Sequence, residues 1–419
     1  MQARGFLRLT KFLPVFFAAL FIGYESPANA EKTPKVLNGI DVLRERNFDL
    51  LAGKRVGLVT NHTGLAADGT TTIDLLFKSK VCRLVALFSP EHGIRGTLDS
   101  DVASSVDETT GLPVHSLYGE NKRPTVEMLK EIDALVYDIQ DIGARFYTYT
   151  STMAYCMEEA ARAGIPFIVL DRPNPIDGIH VEGPMLDADR RSFIGYIPLP
   201  IRYGMTIGEL ARYYNAENRI GAQLQVVEMK GWLRSYYFWD TGQLWVDPSP
   251  NMRSVTAALL YPGVCLLEQT NVSVGRGTDR PFEIVGAPWI EPRRFVAELR
   301  DTRVPGIRFV PLYFTPESGA NRRLKCGGAR LVISNAEKLN SVLLGLTLAS
   351  VLNKLYPDEF KMDSMVELLG NASAMKMLKA AHSPSEVLRS DGPGMQKFLA
   401  KRQRALIYDV TSSRKEGRQ

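Results

Sequence analysis

The feature that most constrains the fold of this chain is an alternation of short apolar runs with amphipathic segments. Four such runs lie in the first half, each followed by a polar loop that contains Gly or Pro: residues 55–60, 81–89, 134–138 and 165–170. Segments with helical spacing, such as 72–79 and 150–163, lie between them. Buried parallel strands covered by helices produce this alternation. The sequence therefore predicts an α/β fold with a Rossmann-like, doubly wound parallel sheet.

The second half, from about residue 197, has a different pattern. A helix is predicted over 206–216, because Thr206 followed by Glu209 forms a capping box. Further strands are predicted at 223–228, 307–314 and 329–334, and further helices at 339–355 and 395–408. A chain of 419 residues exceeds what one core usually supports. We expect a Rossmann-like domain over 36–190 and a smaller mixed α/β domain over 191–419, with an interdomain cleft.

The first thirty residues have the pattern of a cleaved signal peptide. Arg4, Arg8 and Lys11 precede an apolar run at 12–23, and residues 28–30 (Ala-Asn-Ala) form a small-residue cleavage pattern. The apolar run is shorter than the roughly 20 residues that span a bilayer. We expect a periplasmic or secreted protein, cleaved after residue 30, with no stable membrane insertion afterwards.

Charge and motifs exclude several classes of ligand. The net charge of +5 is scattered, so no nucleic acid is expected as a partner. No Gly-x-Gly-x-x-Gly follows the first strand, so no dinucleotide cofactor is indicated, and we expect no cofactor or metal. Cysteines whose wide spacing matches no disulfide scaffold or zinc motif are expected to be free thiols: Cys82, Cys156, Cys265 and Cys326.

Polar side chains gather where three of the four predicted strands end. They are Glu91, His92, Asp138, Asp141, Arg145 and Asp171. Ligands of open parallel sheets bind just beyond the carboxyl ends of the strands, so a functional site is expected at this edge. A carboxyl at position 91, in a fixed turn near apolar neighbours, is suited to general acid catalysis. Asp138 and Asp141 fit either a metal site or hydrogen bonding of loop backbone.

A second polar stretch, residues 267–282, lies between apolar segments of the second half. It carries Glu268, Asn271 and Asp279, and Gly lies on either side of Arg276. The Gly-Lys-Ser/Thr of a phosphate loop is absent, so nucleotide binding is not favoured. The stretch is more typical of a cleft lining, and both halves would then contribute to one interdomain pocket.

These segments resemble the exo-β-N-acetylmuramidase family, long catalogued as a domain of unknown function. The matching stretches occur in family order and are residues 58–64, 88–93, 137–149, 170–175 and 268–281. The resemblance covers the chain from about residue 36 to 408 and shows no departure in these stretches. It implies a Rossmann-like first domain, a smaller second domain, and a cleft that binds a terminal N-acetylmuramic acid.

The activity that the resemblance implies is an exo-acting glycoside hydrolase. It would release N-acetylmuramic acid from the non-reducing ends of peptidoglycan fragments. Such cleavage needs one protonated carboxyl and a second group at the anomeric carbon. Glu91 is our candidate for the acid and Glu268 for its partner, with Asp138 and Asp141 as rivals. The candidate substrate contacts are Asn61, His92, Asp138, Asp141, Arg145, Tyr147, Asn271, Arg276 and Asp279.

Arg276 or Arg145 would bind the lactyl carboxylate of muramic acid through two hydrogen bonds. Two alternatives stay open at this point. One is a non-catalytic protein that binds cell-wall saccharides in the same cleft. The other is a metal-dependent hydrolase built on Asp138, Asp141 and Asp171. The oligomeric state is not indicated by the sequence.

Overall fold

The structure is a computed structural model that describes residues 36–95 and 104–410. The predicted signal peptide, residues 1–30, lies outside this range. Within the two described segments, no helix has the length and apolar character needed to cross a membrane.

The described residues form twelve strands and twelve α-helices. The strands are β1 (Arg55–Thr60), β2 (Arg83–Ser89), β3 (Ser105–Val106), β4 (Pro113–Ser116), β5 (Ala134–Asp138), β6 (Phe167–Leu170), β7 (Glu182–Met185), β8 (Pro200–Arg202), β9 (Leu224–Val227), β10 (Ile284–Ala287), β11 (Ile307–Phe314) and β12 (Cys326–Ile333). The helices are α1 (Gly39–Glu45), α2 (Thr72–Phe77), α3 (Val126–Leu129), α4 (Tyr149–Ala163), α5 (Ile207–Glu217), α6 (Val255–Val264), α7 (Pro292–Asp301), α8 (Ser341–Leu355), α9 (Val366–Leu369), α10 (Ala372–Lys379), α11 (Pro384–Leu388) and α12 (Gly392–Gln403).

A seven-stranded sheet forms the centre of the first half, in the order β3-β4-β2-β1-β5-β6-β9. Five neighbouring pairs in it are parallel. The edge pair β3–β4 is antiparallel. The predicted α/β class and parallel sheet are therefore confirmed. The four strands predicted in the first half correspond to β1, β2, β5 and β6.

Strand β9 joins the large sheet beside β6, although its residues lie in the range assigned to the second domain. The two short edge strands β3 and β4 were not predicted, because runs of two to four residues carry little periodic signal. The last helix, α12, ends at Gln403, five residues before the predicted end at 408. The domain boundary near residue 190 stays a prediction.

Alternate side chains of the large sheet pack on its two faces. Leu58 and Val136 belong to one buried cluster, which also contains residues of α1 and α2. Val59 and Tyr137 belong to a larger cluster that continues into the second half, for example to Leu344 in α8. The second half is therefore packed on one face of the large sheet through a shared hydrophobic core.

The second half contains a smaller antiparallel sheet in the order β10-β12-β11. Helices α6 and α8 cross beside this sheet, and each helix has a glycine at the crossing point. A Cβ added at Gly263 would lie 1.8 Å from the carbonyl oxygen of Ser341, and one at Gly345 would lie 2.2 Å from that of Gly263. Only glycine permits this approach. The 3-10 turn Cys265–Leu267 follows α6 directly and leads into the second polar stretch.

Candidate active site

A cavity of about 220 Å³ lies where the two halves meet. Its walls include residues from the loop after β2, the start of α4, the end of α6 and the second polar stretch. Five predicted site residues line it: Glu91, His92, Tyr147, Glu268 and Arg276. The structure thus brings the strand-end carboxyl and the arginine-bearing segment to one shared space.

Glu91 is positioned by a tight turn that follows β2. His92 and Gly93 both have positive φ, 72° and 74°, so the chain reverses directly after Glu91. A non-glycine residue in this region is uncommon and marks a specialised turn. The Thr148 hydroxyl donates to Glu91 Oε2 at 2.6 Å, and Thr148 directly precedes α4. The partly buried carboxyl is therefore held at the cavity by the segment that joins β5 to α4.

Glu268 enters the cavity from the opposite half, just after the 3-10 turn. Its Oε1 pairs with the guanidinium of Arg276. Its Oε2 accepts a hydrogen bond from the Cys265 thiol at 3.0 Å. The i, i+3 spacing of Cys265 and Glu268 on a helical turn makes the second contact possible.

Aromatic rings form an apolar wall of the cavity. Tyr147 lies edge-on to Tyr261, with 5.8 Å between ring centroids, and Tyr261 lies edge-on to Phe282 at 4.7 Å. Burial raises the pKa of both tyrosine hydroxyls well above the ordinary value, so they remain neutral. Sugar rings pack their C–H faces on such aromatic surfaces, while a hydroxyl or guanidinium binds their polar edges.

Asp138 lies outside this cavity, in the core at the end of β5. Its side chain is fully buried and accepts hydrogen bonds from Arg172 Nη2 at 3.0 Å and from the Thr72 hydroxyl. Arg172 is also buried. This is an internal ion pair that fixes the strand-end loops. The expectation that Asp138 contacts substrate, or rivals Glu268, is not supported.

Asp141 and Asp171 are buried in two further, separate environments. Asp141 accepts from the Tyr203 hydroxyl and from Gly143 N, and burial raises its pKa to about 6. Asp171 accepts from Thr206 and Tyr408, and burial raises its pKa to about 7. Among the described residues, no three His, Cys, Asp or Glu side chains form a group that could hold a metal ion. Asp138, Asp141 and Asp171 therefore do not form the cluster on which the metal-dependent alternative was built.

Arg145, a predicted carboxylate-binding residue, lies outside the lining of this cavity. Its guanidinium is 2% exposed and donates to four backbone carbonyls, those of Pro184, Leu199, Leu368 and Leu369. Burial lowers its pKa to about 9. Arg145 therefore joins the two halves, and Arg276 alone of the two predicted arginines reaches the cavity.

Three other predicted contacts also lie elsewhere. Asn61 is buried and donates to the Tyr149 hydroxyl at 3.1 Å. Asn271 fixes a loop through Glu359 O and Lys361 N. Asp279 is 85% exposed at its side chain. Asn61 also accepts a hydrogen bond from Thr63 N at 2.9 Å, so the first two side chains both bond to loop backbone.

A second cavity, of about 320 Å³, lies beside the loop after β1. Its lining is mainly apolar, and two of its polar side chains are bound by other groups of the protein. Gln243 Nε2 donates to Asn38 Oδ1 at 2.8 Å, and Gln140 Nε2 donates to Pro173 O at 2.8 Å. Because this larger cavity lacks two facing carboxyl groups, we assign the chemistry to the smaller one.

Thr148, Cys265 and Leu368 also line the active-site cavity but were not predicted. Thr148 lies inside the matching stretch 137–149, and Cys265 lies one helical turn before Glu268, so the sequence offered a signal for both. Leu368 comes from a distant helix and carried none. All four cysteines are free thiols, as expected, although Cys82 is only half-buried.

A cleft between two α/β halves, with a carboxyl from each half, an arginine and an aromatic wall, is the arrangement of a carbohydrate-cleaving hydrolase. Comparison with known proteins agrees. Residues 56–256 match the family model described as exo-beta-N-acetylmuramidase NamZ, N-terminal, and residues 259–408 match its C-terminal counterpart. The chain belongs to the NamZ family of exo-β-N-acetylmuramidases.

One relative is the peptidoglycan beta-N-acetylmuramidase NamZ of Bacillus subtilis (strain 168). It is 43% identical over 389 residues, which is 92% of this chain and 94% of that protein. Two crystal structures of DUF1343 family proteins from Bacteroides fragilis NCTC 9343 are also similar. One has a TM-score of 0.84 at 36% identity and the other 0.74 at 31%; each match covers 90% of this chain and 99% of the other.

Proposed function

We propose that this chain is an exo-acting glycoside hydrolase that releases N-acetylmuramic acid from the non-reducing ends of peptidoglycan fragments. The observation that carries the proposal is the meeting of Glu91 and Glu268, from the two halves, in one cavity with Arg276. Its volume of about 220 Å³ is below the roughly 300 Å³ typical for drug-sized ligands, and so suits a single terminal sugar. Family membership supplies the identity of that sugar.

Glu91 is the candidate general acid. Glycoside cleavage requires a proton for the leaving oxygen, and a carboxyl in a partly buried turn can supply it. The Thr148 hydroxyl, bonded to one carboxyl oxygen, leaves the other oxygen for that task. Glu268 is the candidate second carboxyl, which stabilises or attacks the anomeric carbon.

The remaining cavity residues are suited to holding the sugar. The rings of Tyr147 and Tyr261 offer a face for its C–H surface. Arg276 is the candidate partner of the lactyl carboxylate, since a guanidinium binds carboxylates through two parallel hydrogen bonds. His92, beside Glu91, is a candidate contact for hydroxyl or acetamide groups.

The test is hydrolysis of a chromogenic β-N-acetylmuraminide by the purified protein and by Glu91→Gln. We expect release by the wild type and a loss of about 100- to 10,000-fold in the variant, the usual contribution of a positioned acid. Equal rates in both proteins would exclude Glu91 as the acid. Binding of the sugar without release by the wild type would instead establish the non-catalytic binding protein.

We also propose that the chain is exported to the periplasm or secreted after removal of residues 1–30. The basic start, short apolar run and Ala-Asn-Ala pattern support this. Expression of the full chain in a bacterial host tests it. We expect the mature protein outside the cytoplasm with Glu31 as its first residue; an intact N-terminus in the cytoplasmic fraction contradicts the proposal.

A further inference from the structure

Arg276 is presented to the cavity by an unusual stretch of backbone. Gly275 and Gly277 on either side have φ values of 83° and 75°, and a Cβ added at Gly319 would lie 3.3 Å from Arg276 Cβ. The close approach of Gly319 and the turns at Gly275 and Gly277 restrict the positions that the guanidinium can adopt. Its side chain is 31% exposed, and that of its partner Glu268 is 20% exposed, so their ion pair is accessible from the cavity.

Besides the cationic Arg276, Glu268 has a second hydrogen-bond partner, which is uncharged. The Cys265 thiol, in a residue 1% exposed, donates to the other carboxyl oxygen at 3.0 Å. Burial, and then the charge of Glu268, raises the pKa of this thiol well above its ordinary value, so it remains a protonated donor. One oxygen of Glu268 is therefore held by a neutral group of the wall, and the other by a cation that a ligand can reach.

The expected substrate brings a competing anion to this cation. N-acetylmuramic acid differs from N-acetylglucosamine by a lactyl ether that ends in a carboxylate. A guanidinium that binds this carboxylate through two hydrogen bonds has fewer donors left for Glu268, and two carboxylates at close range repel each other. Binding of the lactyl carboxylate therefore weakens the pair between Arg276 and Glu268.

The geometry points to a carboxylate exchange: the lactyl carboxylate takes Arg276 from Glu268, and Glu268, still held by Cys265, is released toward the anomeric carbon. This inference rests on the proposed function and deepens it. Arg276 is then the residue that determines specificity, and Cys265 is a positioning residue. An N-acetylglucosaminide can fill the cavity but leaves Glu268 paired, so discrimination arises from activation as well as from affinity.

Calorimetric binding of N-acetylmuramic acid and N-acetylglucosamine to the wild type, Glu268→Gln and Arg276→Gln tests the exchange. Gln keeps the size of Glu268 and an acceptor for Cys265 but removes the charge that competes for Arg276. We expect Glu268→Gln to bind N-acetylmuramic acid about fivefold more tightly, the upper range for an accessible ion pair, with N-acetylglucosamine affinity within about twofold of wild type. Arg276→Gln should lose the preference for N-acetylmuramic acid.

Unchanged or weaker binding of N-acetylmuramic acid by Glu268→Gln overturns the exchange. A wild type that binds the two sugars equally contradicts the substrate assignment itself, so the two failures are distinguishable.

The role of Cys265 is tested with the chromogenic muraminide, with rates normalised to the folded fraction. Cys265→Ala should lower kcat about tenfold with KM within about twofold, and Cys265→Ser, which keeps a donor, should restore most of it. Equal losses in both variants, or a loss confined to KM, overturn the positioning role.

Discussion

The carboxyl group buried at the end of β5 and the two carboxyl groups of the cleft differ in their burial and in their hydrogen-bond partners. Asp138 is fully buried, and both its oxygens are bound by the buried Arg172. Glu91 and Glu268 are partly exposed, and each has partners from only one wall of the cavity. Polar loops after parallel strands thus serve two purposes here. Saturated carboxylates fix the loops, and the partly accessible ones are available for chemistry.

The largest effect is expected from Asp138→Asn, which would leave Arg172 buried without its counter-charge. We expect the free energy of unfolding to fall by about 3 to 5 kcal/mol, as measured by urea denaturation. The matched control is Glu91→Gln, for which a change below about 1 kcal/mol is expected because this carboxyl is partly exposed. Equal destabilisation of the two variants would remove the distinction between the two regions.

The pH dependence of stability sharpens the comparison. The pKa of Asp171 is raised to about 7, mainly by burial. The folded protein therefore holds this proton more tightly than the unfolded chain, in which the pKa is about 3.9. The contribution of Asp171 to stability falls as pH rises from about 4 to 7. Relative to Asp171→Asn, the wild type should lose about 3 kcal/mol of unfolding free energy across this window.

Asp133 provides a control of opposite sign for the same denaturation series. Hydrogen bonds from Arg55 hold its pKa at about 2, so its contribution is present above about pH 4 and is lost as pH falls. Asp133→Asn should therefore change the profile only at the acidic end. If both substitutions altered the same pH range, burial of Asp171 would not be the cause.

A smaller effect is expected from Thr148→Val, which removes the hydrogen bond to Glu91 without removing the carboxyl. We expect kcat on the chromogenic muraminide to fall about tenfold with KM within about twofold, because hydrogen bonds to charged groups are worth about 1.5 to 3 kcal/mol and water partly replaces this one. Thr152→Val, one turn later in α4, is the matched control, since that hydroxyl bonds only the carbonyl of Thr148. A similar loss in the control would assign the effect to the helix.

The smallest effect is expected from Asp279→Asn. This side chain is 85% exposed and lies outside the cavity lining. Activity within about twofold and stability within about 0.5 kcal/mol of wild type are expected, as for most surface substitutions. A clear rise in KM would extend the substrate-binding surface to this part of the loop.

The sequence by itself determined the α/β class, the positions of the four main strands along the chain and the candidates Glu91, Glu268 and Arg276. It could do so because strand burial leaves a local record in short apolar runs, and because parallel strands place their following loops on one edge. Family resemblance added the substrate. These are properties of neighbouring residues or of motifs in order along the chain.

Only the tertiary structure decided which polar residues reach the cavity. Arg145 and Arg276 both occur in conspicuous polar motifs, yet the first is bound by carbonyls up to 224 residues away in the chain. Asp138 ends β5 and Glu91 follows β2 in the same sheet, yet the first carboxylate is saturated in the core and the second faces the cleft. Whether a charged group is bound internally or left accessible depends on partners brought together by packing, and local sequence carries no record of them.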